Sequence, residues 1–95
     1  MHAVVRKYRV SEVDLLVRKV EAEFADQVRQ VEGFVGYYVI DGGDGTVASV
    51  TVGETAAAVE ESNRRAADWV RSSAADLIEG PPEVTGGEVV VRVER

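Results

Sequence analysis

Cysteine is absent from this chain, and histidine, tryptophan and methionine occur once each. Without cysteine there is no disulfide, no thiolate nucleophile and no cysteine-ligated metal, while the redox compartment stays open. The one histidine, His2, titrates near neutral pH but sits beside a terminus, where a positioned base is not expected. Basic residues are outnumbered, 11 against 17, and the resulting charge of -6 repels phosphate polyanions, so nucleic acid is not an expected partner. No run approaches the roughly 20 apolar residues of a membrane span, and no apolar leader follows Met1. No membrane association and a cytoplasmic location are therefore expected. Serine nucleophile elbows, phosphate loops and metal-ligand pairs are also missing, which leaves catalytic residues unassigned and predicts no metal.

What the chain does contain is organised around Val31–Gly53. Two β-rich runs, Phe34–Ile40 and Thr46–Val52, flank Asp41-Gly42-Gly43-Asp44-Gly45, a pattern that predicts a hairpin. The aspartates lack the ordered ligand positions and closing Glu of a calcium loop and read as turn residues. A helix is predicted over Ser11–Val31, opened by a Ser11-x-x-Asp14 capping box and closed by Gly33. Its stripe is Val13, Val17, Val20, Phe24, Val28 and Val31. A second helix runs from an N-cap at Thr55 to about Ile78, ended by Gly80-Pro81-Pro82, with Val59, Asn63, Ala66, Val70, Ala74 and Leu77 inward. The first strand, His2–Val10, directs Val4, Arg6, Tyr8 and Val10 inward. Glu79–Gly87 reads as a loop and Glu88–Glu94 as the last strand.

Strand, helix, hairpin, helix, strand in 95 residues makes one domain, 1–95, of the α+β ferredoxin-like class, βαββαβ, with a four-stranded antiparallel sheet and both helices on one face. Ala48, Val50 and Val52 are assigned to the helix side of the third strand. The Val35–Ile40 run is apolar on both sides, Val35, Tyr37 and Val39 against Gly36, Tyr38 and Ile40. Two helices cover only one sheet face, so a homodimer is expected to bury the other.

Local sequence narrows the class. Glu32-Gly33-Phe34 leading into Val35-Gly36-Tyr37-Tyr38 resembles the Pro-Gly-Phe turn and strand of the antibiotic-biosynthesis-monooxygenase-like group, with Glu32 in place of Pro. Glu61-Ser62-Asn63-Arg64-Arg65-Ala66-Ala67-Asp68-Trp69 resembles the second helix of small members of that group. The resemblance implies a dimeric α/β barrel and a cofactor-independent monooxygenase or related enzyme acting on an aromatic, polyketide-like small molecule. Haem-degrading relatives use Asn, Trp and His. Here the first strand has no Asn and the sole histidine is His2, so haem is not expected and no cofactor is predicted.

Five residues are candidate ligand-binding groups: Asn63, Trp69, Tyr8, Arg6 and Tyr38. Asn63 could bond a ligand carbonyl or satisfy a core backbone group. Trp69 could stack on an aromatic ligand or pack the core; six residues separate it from Asn63, which puts the two about 120° apart on the helix. Arg6 with Tyr8 could orient an anionic or phenolic group, or Arg6 could pair with Glu88 or Glu94 across the sheet. The alternative function is a non-catalytic homodimer that binds a small molecule or serves structurally. An RNA-recognition sheet is rejected, because Glu32 stands where a basic residue belongs and the aromatic run falls on the second strand.

Overall fold

Turn chemistry in the middle of the chain builds the hairpin that was expected there. In the computed structural model, which describes all residues Met1–Arg95, strands β2 (Phe34–Asp41) and β3 (Thr46–Gly53) pair antiparallel. Asp41 Oδ1 accepts from the Gly43 amide at 2.9 Å and Asp44 Oδ1 from the Thr46 amide at 3.1 Å, so both carboxylates are committed to the turn. Gly43 and Gly45 take φ of +85° and +86°, which only glycine adopts cheaply.

β1 (His2–Val10) lies between β3 and β4 (Ile78–Glu88), giving the antiparallel order β2-β3-β1-β4. One helical rod follows β1: α1 (Val13–Lys19), a π turn (Val20–Phe24) and α2 (Ala25–Arg29). The other follows β3: α3 (Ala56–Trp69), a second π turn (Val70–Ala74) and a 3-10 turn (Ala75–Leu77). This is the ferredoxin-like βαββαβ layout with both rods on one sheet face. No helix is long and apolar enough to cross a membrane.

Beneath the rods, Phe24, Val28, Leu16, Val20, Trp69, Ala74 and Leu77 meet Tyr8, Val10 and Val47 of the sheet. Leu16 belongs to the first rod's buried stripe although the valine spacing passes over it. On the second rod Val59, Ala74 and Leu77 of the expected stripe are buried, Asn63, Ala66 and Val70 are half-buried, and Ala58, Ser62 and Trp69 beside the stripe are buried with them.

Four expectations are corrected. The Ser11 capping box does not form: Glu12 occupies the N-cap without a side-chain bond, while the Ser11 amide and hydroxyl both donate to the Leu77 carbonyl, at 2.9 and 3.3 Å. The rod stops at Arg29, two residues before Val31, although Gly33 takes the expected left-handed φ of +85°. Thr55 does cap α3, accepting from the Ala58 amide at 3.1 Å.

The third correction is β4, which occupies Ile78–Glu88 instead of Glu88–Glu94. The second rod does end at Leu77, close to the expected Ile78, but Glu79–Gly87 is strand and not loop, and Gly80-Pro81-Pro82 makes its irregularity: β1 advances from Lys7 to Arg9 while β4 spans Glu83 to Glu79. Proline is tolerated there because β4 is an edge strand. The fourth correction is the parity of β3. Val47, Ser49, Thr51 and Gly53 face the helices, and Ala48, Val50 and Val52 face away. On β1, Val4, Arg6, Tyr8 and Val10 point inward as expected.

Candidate ligand-binding site

β1 carries a guanidinium into the interior. Strand alternation that buries Val4, Tyr8 and Val10 buries Arg6 with them, to 5% exposure. No carboxylate lies within 4.0 Å of it; Arg92 and Glu94 pair with each other instead, so the expected pairing of Arg6 with Glu88 or Glu94 is not formed. Arg6 Nε donates to the Tyr8 hydroxyl, and Arg6 Nη1 donates to Asn63 Oδ1 and, at 3.4 Å, to the Asn63 carbonyl. The Asn63 side chain is therefore held from across the domain. A phenol that accepts from a guanidinium keeps its own hydrogen free to donate, so Arg6 polarises Tyr8 as a donor.

Two spaces meet at Tyr37, and the inner of them is lined by Tyr8 as well. The first is a cavity of about 30 Å³ between the rods and the sheet, bordered by Tyr8, Phe24, Tyr37, Ser49 and Trp69. It is water-sized. The second is a groove of about 640 Å³ between the first rod and β2, whose walls are Val17, Val20, Tyr37 and Val39 and whose rim carries Asp14, Arg18, Glu21 and Asp41. Its size is that of small-molecule sites. Val20, Tyr37 and Val39 belong to both, so these side chains are the partition between groove and interior.

Tyr37 is the residue on that partition whose chemistry is most altered. Burial, and next the neighbouring Tyr8, push its phenol up to about 12, against the opposing pull of Arg6 and Ser49. It is a neutral donor at any physiological pH. Its ring meets Phe24 edge-on at 5.6 Å, and Phe24 meets Trp69 at the same distance. Trp69 is buried, and its indole N–H donates to Glu23 Oε1 at 3.2 Å. Both π turns lie here: the first ends at Phe24 and the second begins just after Trp69.

Of the five sequence candidates, Arg6, Tyr8 and Asn63 come together as one bonded group. Tyr8 and Trp69 share the inner cavity, but Asn63 borders a separate recess of about 290 Å³ with His2, Val4 and Val84. In that recess His2 Nδ1 is buried without a hydrogen-bond partner. Tyr38 is 61% exposed on the opposite sheet face. Sequence reading missed Tyr37 and Ser49. Ser49 sits directly opposite Arg6 in the β1–β3 register, and Tyr37 opposite Thr51 in the β2–β3 register. The polar alternation Ser49, Thr51 was the available signal.

No protein-family model matches the chain, and no curated protein matches it by sequence. Solved structures do match over nearly its whole length. One is a monooxygenase from the ActVA-Orf6 gene of Streptomyces coelicolor in complex with nanaomycin D, at 19% identity and TM-score 0.78, covering 99% of this chain and 93% of that one. Another is SnoaB, a cofactor-independent oxygenase from Streptomyces nogalater, at 14% identity and TM-score 0.75, covering 99% and 97%. A third is MhuD with two manganese protoporphyrin IX bound per active site, at 21% identity and TM-score 0.72, covering all of both chains. Likeness at these identities establishes architecture alone: the chain has the ferredoxin-like fold of these proteins.

Proposed function

We propose that this protein is a cofactor-independent oxygenase of a phenolic or enolisable aromatic compound, working as a homodimer closed into an α/β barrel. The observation that carries the reading is the buried Arg6, a cation without a carboxylate, whose bonds go to the neutral groups Tyr8 and Asn63. An uncompensated buried charge costs several kcal/mol, on the order estimated for ions moved into proteins, and an anionic ligand offsets that cost. An aromatic compound seated in the groove would present its oxygen to the Tyr37 phenol, with Tyr8 and Arg6 behind it. The positive field favours the phenolate or enolate over its conjugate acid, which supplies the activation that a general base would otherwise provide.

The electron-rich anion then gives an electron to O₂, and the two radicals combine at carbon. Where that carbon was a methylene, one oxygen atom stays as a carbonyl and the other leaves as water with the two hydrogens. All electrons come from the substrate, so no reductant is needed. The two Streptomyces oxygenases of this fold, one bound to nanaomycin D, support the choice of substrate class.

A homodimer is supported by the open sheet face, where Val5, Tyr38 and Ile40 are 37, 61 and 53% exposed beside half-buried Val50 and Val52. A second reading, a non-catalytic ligand-binding dimer, is favoured by the narrow inner cavity and by the separation of Asn63 from it. The experiment is a titration of naphthols and anthrones followed by Trp69 fluorescence, with oxygen uptake measured on those that bind. Binding with uptake that Arg6→Met abolishes supports the oxygenase. Binding without uptake supports the second reading, and no binding refutes both.

A further inference from the structure

The inner cavity is too small for an aromatic substrate. Its volume is about 30 Å³, whereas a cavity that takes benzene is about 150 Å³. Ser49 is the one residue of its lining that is not hydrophobic, and Leu16, Val47, Ala66 and Val70 stand among the aromatic rings already described. The hydroxyls at its edge are engaged: Tyr8 accepts from Arg6, and Tyr37 and Ser49 are bonded to each other. No buried polar atom here lacks a partner; the one that does, His2 Nδ1, lies in the recess beside Asn63. A buried water needs roughly two to four polar partners, so this space favours a small apolar molecule over water.

Both helical rods depart from α-helix where they line the cavity. Val20 and Phe24 come from the first π turn and Val70 from the second. A π turn replaces the ordinary helical ladder with a wider one, breaks the regular spacing of side chains on that face, and recurs at functional sites.

We infer that this cavity is the dioxygen site of the reaction proposed above, holding O₂ on one side of the partition while the aromatic anion lies in the groove on the other. The inference rests on that proposed reaction. Val20, Tyr37 and Val39 line both spaces, so one layer of side chains separates the two reactants. One electron passes from the anion to O₂, leaving a neutral substrate radical and superoxide, and no proton moves in this step. The negative charge thereby shifts from the groove to the cavity bordered by Tyr8, whose hydroxyl is bonded to Arg6. A charge that moves toward a buried cation moves downhill, so the cation that steadies the phenolate also draws the electron across. The two radicals then join in a carbon–oxygen bond along the wall that the spaces share.

Xenon is the probe, because it is apolar and enters apolar cavities. Methyl NMR of the intact protein under xenon should show shifts confined to the cavity wall, at Leu16, Val20, Val47 and Val70. Dissolved O₂ should quench the fluorescence of Trp69, the sole tryptophan and part of the same wall. Ala66→Leu fills the space: it should abolish the xenon shifts, reduce the quenching and raise KM for O₂ about tenfold, whereas the KM of the aromatic compound in the groove should hold. Val47→Ala enlarges the space and should strengthen both xenon binding and quenching, which keeps the cavity under test if Ala66→Leu does not fold. The site is overturned if xenon leaves these methyls unshifted, or if Val47→Ala changes neither signal. Oxygen uptake with an unaltered KM for O₂ in folded Ala66→Leu keeps the proposed reaction and removes the site. Xenon in the cavity with no uptake from any phenol refutes the reaction and upholds only the cavity's preference for a small apolar molecule.

Discussion

The two faces of this sheet invert the usual arrangement. The face under the helices buries Arg6, Tyr8, Ser49 and Thr51 among its apolar residues, while the face without a cover displays Val5, Tyr38, Ile40, Ala48, Val50 and Val52. A monomer built for stability alone would place these sets the other way round, since burying polar groups costs free energy and exposing aliphatic ones forgoes it. The helix layer therefore encloses the polar groups of the proposed site, and the uncovered layer carries the apolar surface that the proposed dimer would bury.

Charge on the uncovered face should break the comparison most strongly. Val50 sits opposite both Tyr38 and Val5, at the centre of that face. Val50→Glu is expected to weaken the proposed dimer by about 3 kcal/mol or more, roughly a hundredfold, because an unpaired carboxylate would be desolvated. Sedimentation would show monomers, with circular dichroism unchanged. If the variant stays dimeric at micromolar concentration, the face is not the interface.

On the covered face, Arg6→Met removes the cation while keeping much of the side-chain volume. Its expected effect on folding is small, because a buried charge is exchanged for an apolar group. Its effect on oxygen uptake with a phenolic substrate should be roughly a hundredfold loss, about 3 kcal/mol in the barrier. Equal losses of stability and activity would mean that Arg6 is structural.

Tyr37 sharpens the same face through pH. Its phenol ionises near 10.0 when free and near 12 when folded, so between those values the unfolded chain has released a proton that the folded chain still holds. Stability must fall across that window, by an amount on the order of 2–3 kcal/mol. Urea titrations at pH 10 and 12 measure it, and Tyr37→Phe should remove this part of the loss. The smallest expected change is Trp69→Phe, which forfeits the bond to Glu23 at a cost of about 1 kcal/mol while preserving most of the packing on Phe24. A drop several times larger would mean that Trp69 anchors the contact between the rods.

The order of elements, the hairpin with its Asp-Gly loop, the Thr55 cap, the left-handed turn at Gly33 and the inward set of β1 all follow from local rules, each needing only the residues within a few positions. Arg6, Tyr8 and Asn63 were legible as polar residues at inward positions of predicted elements. Their assembly was not, because it depends on how α3 crosses β1, and 57 residues separate Arg6 from Asn63. The parity of β3 could not be read either. Alternation shows which residues share a face but not which face the helices take, and the apolar set proved to be the one facing outward. β4 was displaced for a related reason: Gly80-Pro81-Pro82 is a helix stop in isolation and an edge-strand bulge once β1 is alongside. The valine-rich tail keeps its strand character in both descriptions, because propensity is a property of the residues, whereas a ladder partner is supplied only by tertiary or quaternary structure.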